Sequence, residues 1–465
     1  MRTAAVIALA LLSGCISFSP DGGFGKVERD VAERGGGDAK WVRSADDVNS
    51  VDARVKELLA KPLSAEDAVR VALLNNPGLQ AHYAELGIAE ADLVQASRWS
   101  GPKLGFARLK RGDEIEREAS VFFDVLGLIT IPLSTKAQGK RFGAAQHRAA
   151  EETLRLALDA RKAWFAAVAA QQTARYMEDV KLAAEASADL ARRMAEVGNW
   201  PRLTRDREQA FYAEATAQLA RARQAQTATR EKLTRLMGLW GERTAYALPE
   251  RLPELPRLAR KGEELEAQAL RQRLDVQAAR REAESLAEAL GLTKVTRYVD
   301  LFEVGMLRNT ESGRPVQRGW ELELRIPIFD FGGARAARAE HLYMQAVNRT
   351  AETAVRARSE VREAYGAYRT AFDLASHYRD EIVPLRKRIS EEMLLRYNGM
   401  LSSVFELLAD ARDSVASVNA YLGAQRDFWL ADADLQMALT TGSPGAMAAA
   451  AATLAPAGGA PAAAH

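Results

Sequence analysis

The segment that decides the fold is Trp320-Glu-Leu-Glu-Leu-Arg-Ile-Pro-Ile-Phe-Asp-Phe-Gly-Gly-Ala-Arg335. Apolar and charged side chains alternate from Trp320 to Ile326, which predicts a strand with one apolar and one charged face. Pro327 cannot donate a ladder hydrogen bond, so the strand should end there. A helical pattern without proline then runs from Ala334 to Val383. The chain therefore passes from a two-faced strand into a very long helix.

The same order of elements occurs once earlier in the chain. The sequence predicts a strand over Val121–Ile131, which Pro132 ends, and a helix that starts near Lys136. Two strands that each lead into a long helix predict a small β-structure mounted on an α-helical shaft.

Two repeats, offset by about 200 residues, organise most of the chain. Each repeat contains a helix, two strands and a long helix pair, and the strands surround polar hairpin tips at Lys110–Glu118 and Arg308–Val316. We divide the sequence into a signal peptide, a tether, a first repeat, a linker, a second repeat and a disordered Ala/Pro/Gly-rich tail, at residues 1–14, 15–61, 62–240, 241–262, 263–440 and 441–465.

An alanine seam marks the long helix of the first repeat, which lacks Gly and Pro from Ala144 to Val197. Small apolar residues recur there at alternating spacings of three and four, the heptad pattern of a coiled coil. Such a seam predicts burial against another helix; the alternative is a solvent-exposed, alanine-rich helix. The seam consists of Leu156, Ala160, Ala163, Ala167, Ala170, Ala174, Met177, Ala184, Ala188, Ala191 and Ala195.

Composition and motifs exclude several classes of function. The formal net charge is +2 and the two signs interleave, so no nucleic-acid partner is expected. One cysteine and five scattered histidines give no metal-ligand spacing, and no nucleotide-binding, metalloprotease or hydrolase motif occurs. We therefore expect no cofactor, no bound metal and no enzymatic activity.

The N-terminus has the pattern of an export signal. Arg2 precedes an apolar run, Ala4–Leu12, that is too short to span a bilayer. The following Ser-Gly-Cys15 completes a resemblance to the lipobox of bacterial lipoproteins, which implies lipid attachment at Cys15; the alternative is an ordinary signal peptide with a chance cysteine. Ile16 in place of aspartate favours the outer membrane by the same resemblance. We expect a mostly extended tether to follow, with a short helix near Val51–Leu59.

A capped helix opens the first repeat, with Ser64 as its N-cap and Asp67 as a capping partner. The sequence here and in the second repeat resembles the TolC family of outer-membrane efflux ducts, over about Leu63 to Leu439. This sequence departs from the family pattern at Ile131–Gly139, which lacks a Phe-Asp-x-Gly-Gly ending, so the geometry of the turn there stays open. The motifs that carry the resemblance are Leu63–Pro77, Ile326–Gly333 and Arg396–Ala411.

Four strands are too few to close a barrel, and their open edges could not face lipid. The TolC resemblance implies a homotrimer whose pooled strands form one transmembrane β-barrel in outer-membrane lipid, joined to an α-barrel of long antiparallel coiled-coil helices. The predicted fold is thus mainly α with a small β part. We expect the hairpin tips to face the cell exterior, because the opposite strand ends lead into the helices.

The resemblance also implies partners and site residues. A periplasmic adaptor and an inner-membrane pump would dock at the helical tips, which are Gly198, Asn199, Trp200, Asn398 and Gly399. Glu406 and Asp410 share one helix face by their i, i+4 spacing and would form an acidic constriction that closes the resting duct. The alternatives are a solvated outer face or simple pairing with Arg396 or Arg412.

Three functions fit these observations. The leading one is the outer-membrane channel of a tripartite efflux system, lipid-anchored in the outer membrane and extending into the periplasm. Because Tyr397–Asp410 is similar to family members found with copper and heavy-metal exporters, copper is one candidate substrate, although no Cys, His or Met cluster indicates metal handling. The alternatives are a periplasmic coiled-coil adaptor or scaffold lipoprotein and a duct for type I protein secretion.

Overall fold

The computed structural model describes residues 17–442. The predicted signal peptide, Cys15 and nearly all of the predicted tail lie outside the described residues. The strands are β1 Lys103–Arg111, β2 Glu114–Asp124, β3 Leu301–Glu311 and β4 Gln317–Arg325. The α-helices are α1 Phe24–Ala32, α2 Ala45–Leu59, α3 Ala65–Asn75, α4 Pro77–Ala96, α5 Val125–Glu196, α6 Arg202–Leu236, α7 Leu265–Gln272, α8 Leu274–Val295, α9 Gly333–His377, α10 Val383–Asn398 and α11 Val404–Thr440.

The predicted internal repeat is confirmed by the order of these elements. A helix, a hairpin, a long helix and a return helix occur as α4, β1–β2, α5 and α6, and then again as α8, β3–β4, α9–α10 and α11. A π-helical turn at Tyr378–Ile382 separates α9 from α10 just before Pro384. This turn is where the sequence predicts a kink, because proline cannot donate a helical hydrogen bond.

The four strands form one antiparallel sheet in the order β1-β2-β3-β4. The two hairpins of the repeats therefore lie side by side, with β2 paired to β3 and with β1 and β4 at the edges. One cross-strand level runs through Leu104, Val121, Met306 and Trp320. Since directly opposed residues share a face, this level fixes which side chains lie together on each side of the sheet.

The predicted end of the second strand is wrong. β2 stops at Asp124, and α5 starts at Val125 and includes Pro132. The Asp124 carboxylate accepts a hydrogen bond from the backbone N–H of Gly127 at 2.7 Å, so this side chain satisfies a free donor of the first helical turn. The strand therefore changes directly into a helix, and Pro132 lies within that helix instead of preceding it.

The hairpin tips are shorter than the sequence suggests. The first turn is Gly112-Asp113, with Gly112 at φ +60°, and the second lies between Glu311 and Gln317. Most of the predicted polar tip at Lys110–Glu118 is strand. Polar residues remain strand-forming here because neither face of the hairpin end packs on a core.

Most of the alanine seam of α5 is buried, as predicted, whereas Leu156, Ala170 and Ala195 are half-buried. Ala160, Ala167 and Ala184 have at most 1% of their surface exposed. Near Met177 and Ala184 the seam packs with α6, whose Ala215 and Leu219 belong to the same apolar cluster. Small side chains let the two helix backbones approach closely along this contact.

The chain divides into two compact units. Among the described residues, the first contains residues 17–29, 81–150 and 274–356, and it holds the sheet. Within it, three ion pairs connect α5 to α8: Lys136–Glu288 at 2.8 Å, Lys140–Glu284 at 2.7 Å and Arg148–Glu282 at 3.1 Å. Such pairs on half-exposed helix faces fix the register of the two helices more than they stabilise the fold.

The second unit contains, among the described residues, Asp30–Gln80, Glu151–Arg273 and residues 357–442. Its core is rich in aromatic side chains: Phe428 packs on Tyr368, Phe372 and Trp429, with ring centroids 5.1–5.8 Å apart. The opening motif of the first repeat belongs here. Ser64 caps α3 as predicted, and its hydroxyl accepts from the backbone N–H of Asp67 at 3.1 Å.

Residues 17–61 do not form the mostly extended tether that the sequence suggests. They contain α1 and α2, and Val27, Val31 and Val55 have no exposed surface. A complete capping box of Ser44 and Asp47 starts α2 at Ala45, before the predicted helix start at Val51. None of the helices in residues 17–442 has a stretch that is both long and apolar enough to cross a membrane.

Candidate functional site

One face of the sheet is apolar and exposed. Phe106 is 81% exposed and Trp320 is 77% exposed, although large apolar side chains normally lie in a core. The register places both on the same face as the neighbouring apolar residues. This apolar face consists of Leu104, Phe106, Ala119, Val121, Phe123, Phe302, Val304, Met306, Trp320, Leu322 and Leu324.

The opposite face of the sheet is acidic. Lys103 and Glu303 form an ion pair on it, and the Asn309 amide donates to the Glu116 carboxylate. Phe122 lies over Gly305, where any side chain on the glycine would clash with the ring. The acidic face carries Glu114, Glu116, Glu118, Asp124, Glu303, Glu311, Glu321 and Glu323 against the basic Lys103, Arg111 and Arg325.

Both outer edges of the sheet are open in the described part of the chain. β1 pairs only with β2, and β4 pairs only with β3, among residues 17–442. Each edge strand therefore presents a row of backbone N–H and C=O groups without strand partners. An exposed edge of nine residues next to an apolar face is a template for pairing with another chain.

The structure brings the two predicted helical tips together. The first turn contains Gly198, at φ +77°, and the backbone N–H groups of Asn199 and Trp200 both donate to the Met194 carbonyl. The Trp200 ring lies 5.5 Å, centroid to centroid, from the ring of Phe405, which follows the second turn. Through this ring contact, the first turn lies against the segment that follows the second turn, within the second unit.

The second turn differs from the first in its backbone. Gly399 has an ordinary φ of −80°, and the left-handed residue is Met400, at φ +58°. Met400 is 94% exposed, and the neighbouring Leu401 is also largely exposed. The sequence does not single out these two residues as part of the tip, although two apolar side chains directly after a predicted turn were a usable signal.

Glu406 caps the helix that follows the second tip. Its carboxylate accepts from the Ser403 backbone N–H at 3.0 Å, while the Ser403 hydroxyl accepts from the Glu406 N–H, a complete capping box. The Ser402 hydroxyl also donates to this carboxylate. These hydrogen bonds, that from Ser402 first, hold the pKa of Glu406 below its usual value.

Asp410 lies in different surroundings from Glu406. Only 8% of its surface is exposed, and its carboxylate accepts from the Ser390 hydroxyl of α10 at 2.6 Å. Its burial between helices of one chain does not fit the predicted position on the wall of a pore. The predicted alternative partners bind elsewhere, since Arg412 pairs with Glu208 and Arg396 with Glu392.

No model of a known protein family matches the sequence, and no curated protein sequence matches it. Solved structures do match. The Campylobacter jejuni CmeC outer membrane channel has a TM-score of 0.68 at 14% identity, with 90% of this chain and 92% of that chain covered.

Two further channel structures are similar. The Neisseria gonorrhoeae MtrE outer membrane channel, in its open state, has a TM-score of 0.67 at 17% identity, with 84% and 89% of the two chains covered. CusC, described for folding and transmembrane channel formation, has a TM-score of 0.66 at 16% identity, with 85% and 92% covered. At these identities the similarity establishes architecture. The chain has the fold of the TolC-family outer-membrane channels, as its sequence motifs predict.

Proposed function

We propose that this chain is one protomer of a homotrimeric outer-membrane channel that conducts substrates passively. The observation that carries the proposal is the four-stranded sheet, with one exposed apolar face, one acidic face and two open edges. Lipid cannot satisfy the free backbone groups of an edge strand. A sheet of this kind can therefore face lipid only if β1 of one copy pairs with β4 of the next.

The number of copies follows from barrel geometry. Barrels need about eight strands before side chains can fill or line their interior. Two copies of the sheet give eight strands, a narrow barrel, and three copies give twelve, which leaves room for a water-filled interior. The apolar face would then contact lipid and the acidic face would line the channel.

The charge of the acidic face predicts ion selectivity. An interior lined by carboxylates attracts cations and raises their local concentration. Planar-bilayer recordings should show a cation-preferring conductance, and Glu321→Gln/Glu323→Gln should reduce that preference. The matched control is Glu57→Gln/Glu66→Gln, which removes the same charge from exposed helix positions. Lack of any conductance in the purified oligomer would instead favour a periplasmic adaptor or scaffold.

The helical tips are the proposed contact for a periplasmic adaptor that connects the channel to an inner-membrane pump. Their exposed apolar residues support this, because exposed apolar patches commonly mark protein interaction sites. The tip surface includes Val197, Leu203, Met400, Leu401 and Phe405. Capture of an adaptor by the wild-type protein, and its loss in Met400→Ser/Leu401→Ser with the trimer intact, would test this contact.

The substrate proposal is export of small molecules or ions, with copper as a candidate. The similarity in fold to CusC supports a channel but carries no substrate by itself. Copper sensitivity of a strain that lacks the gene, measured beside its sensitivity to a dye or detergent, separates the candidates. If the same strain instead fails to secrete a protein that the parent strain secretes, the result would support a duct for type I protein secretion.

We propose that Glu406 alone forms the acidic constriction, because the carboxylate of Asp410 is buried. Glu406 is exposed and close to the turn of the second tip. Glu406→Gln should weaken block by multivalent cations added from the periplasmic side, because three copies of the carboxylate would surround the axis. Asp206→Asn, an exposed acid near the start of α6, is the control. Equal block in both variants would place Glu406 outside the conducting path.

Lipid attachment at Cys15 remains a proposal from the lipobox-like sequence. Intact-mass measurement of membrane-extracted protein should show an N-terminus at Cys15 with added acyl mass. Cys15→Ser should remove the acyl mass and reduce sorting to the outer membrane, while the oligomer still assembles, because the strands and not the lipid close the barrel. An unmodified mature chain that begins elsewhere would contradict the proposal.

A further inference from the structure

Four arginines lie on the apolar face of the sheet, at the end nearest the hairpin turns. The level Phe106, Ala119, Arg308, Arg318 contains two of them, and the next level contains Arg108 and Arg117 beside Thr310. All four arginines are exposed. We call Arg108, Arg117, Arg308 and Arg318 the arginine row.

The arginine row is arranged so that like charges face each other. Arg108 lies directly opposite Arg117, and Arg308 lies directly opposite Arg318. Such cross-strand pairs of one sign are destabilising in a sheet. The strand residues of this face include no Asp or Glu within β1–β4, and among the described residues no ion pair involves any of the four guanidinium groups. An external anion would remove this repulsion.

A shallow groove leads from the apolar face to two arginines of the row. Its lining includes the apolar Phe106, Val121 and Met306 together with Arg308 and Arg318. Ala119 is opposite Phe106 on one side and Arg308 on the other, and its small side chain leaves the space between these larger ones open. The groove therefore combines a hydrocarbon surface with two adjacent guanidinium groups.

We propose that the arginine row binds the phosphate of a membrane lipid, whose acyl chain lies in the groove between Phe106 and Met306. Guanidinium groups bind phosphate oxygens through paired, charge-assisted hydrogen bonds. The continuous apolar surface beside the row selects a lipid over a soluble phosphate, because a free anion gains nothing from Phe106 or Met306. Facing pairs of arginines favour a phosphate monoester, which carries more negative charge than a diester. The inference rests on the proposed membrane insertion of this face.

Native mass spectrometry of the delipidated full-length protein in detergent tests the proposal. Phosphatidic acid, a phosphate monoester, should bind more tightly than phosphatidylcholine, and Arg308→Gln/Arg318→Gln should weaken phosphatidic acid binding about tenfold or more, since each lost bond involves charged groups. The matched control is Arg111→Gln/Arg314→Gln. Arg111 lies on the acidic face, and Arg314 lies in the turn and pairs with Glu311 at 2.9 Å, so the same charge leaves the same hairpin end.

Several outcomes would overturn the proposal. Equal binding of the two lipids, or an equal loss in the control variant, would show that the arginine row is not the site. Displacement of phosphatidic acid by an equal concentration of inorganic phosphate would show a soluble-anion site. The same spectra report whether each variant keeps its oligomeric state, and Arg308→Lys/Arg318→Lys should bind at an intermediate level because it keeps charge but loses the paired geometry.

The failure of this inference differs from failure of the proposed channel. Conductance is measured in bilayers of phosphatidylcholine alone, where the arginine row has no monoester to bind. If the protein is a conducting trimer without lipid preference, only the proposal of a lipid site is refuted. If the protein is lipid-selective but neither forms a trimer nor conducts, the proposal of a channel is refuted and that of the lipid site stands.

Discussion

The two repeats contain the same elements but join strand to helix differently. In the first repeat, β2 ends at Asp124 and α5 begins at Val125. In the second, residues 326–332 separate β4 from α9, and Phe331 and Gly332 both have positive φ. Only the second joint has the Phe-Asp-Phe-Gly-Gly sequence that can make this turn. The turn residues, and not the alternation of apolar side chains, decide where each long helix begins.

The repeats also differ in how they hold the end of the return helix. In the first, the Asn76 amide donates to the Leu236 carbonyl at 2.9 Å, and Asn75 donates to the Met237 and Gly238 carbonyls. In the second, Arg273 donates to the Ala438 carbonyl and pairs with Glu360 at 2.8 Å. Arg273 has no exposed surface. The same C-terminal capping task is therefore done by neutral amides in one repeat and by a buried cation in the other.

The buried cation predicts the largest effect of a single substitution. Arg273→Met should destabilise the second unit by about 3–5 kcal/mol, because it removes the buried guanidinium that pairs with the largely buried Glu360 carboxylate. The melting temperature in detergent is the measurement. Arg273→Met/Glu360→Leu should recover much of the loss, since both charges of this pair are then replaced by apolar side chains. A double variant as unstable as the single one would mean that the packing of Arg273, and not its charge, holds this repeat.

Glycine substitutions test the joints directly. Gly332→Ala should destabilise the chain by about 1–3 kcal/mol, because Gly332 has φ +69° and a methyl group there would meet the Arg297 carbonyl oxygen. Gly139 lies inside α5, at the position in the first repeat that corresponds in sequence to the turn of the second joint. Gly139→Ala should therefore stabilise the folded chain by about 0.5–1 kcal/mol. Its methyl group would lie 3.9 Å from Leu93, an ordinary contact. Effects of the same sign would show that the two joints are built alike.

The alanine seam of the first repeat predicts intolerance of larger side chains. Ala167→Leu should lower stability by about 1–3 kcal/mol through overpacking, because Ala167 is 1% exposed. Ala186→Leu on the same helix, at an exposed position, should change the melting temperature little. If both variants melt like the parent, the seam does not need its small side chains.

The helical tips predict the smallest effect. α11 begins with the capping box of Ser403 and Glu406, whereas the N-cap of α6 is Pro201, without a side-chain hydrogen bond. Hydrogen exchange should therefore be slower in the first turn of α11 than in that of α6. Ser403→Ala should remove the difference, because a lost N-cap costs about 1 kcal/mol. Equal exchange in both turns of the parent would contradict the role of the cap.

The same cap gives a dependence on pH. The pKa of Glu406 is lowered in the folded protein, chiefly by the Ser402 hydroxyl. The stability that the ionised Glu406 carboxylate gives to the first turn of α11 is therefore complete above the usual pKa of 4.5. The contribution is lost as the pH falls from there through the lowered folded-state pKa. Exchange in the first turn of α11, corrected for intrinsic rates, should accelerate over this range in the parent but not in Glu406→Gln. An identical pH profile in the two proteins would contradict the role of Glu406 in the pH dependence of this cap.

The sequence predicted those features that depend on local pattern. The alternation before Pro327 located β4, the heptad seam around Ala167 located a buried helix face, and Ser64 located a helix start. The start of α5 directly after Asp124 was not predicted, because proline usually interrupts a helix and Pro132 therefore suggested that the helix begins later. The Asp124 carboxylate, eight residues before Pro132, starts the helix instead. The burial of Asp410 could not be seen because it depends on Ser390, on a different helix. Pairing of the two hairpins likewise depends on residues nearly 200 positions apart.

The faces of the sheet could be predicted in part. Alternation in β4 gives its apolar and charged sides, but the arginine row combines residues of all four strands and needs the register of β2 on β3. The same is true of the tips, where Trp200 and Phe405 meet across the repeats. The surfaces that support the proposed function thus depend on contacts between the repeats more than on any motif within one.

The mass of the assembled protein tests the central claim most directly. Native mass spectrometry of protein extracted from the membrane in detergent should give a particle of three chains, because in the proposed channel three four-stranded sheets would close a barrel wide enough to conduct. The particle should persist when the sample is diluted to the concentration used for bilayer recordings. A stable particle of one or two chains that still conducts would contradict the proposed barrel.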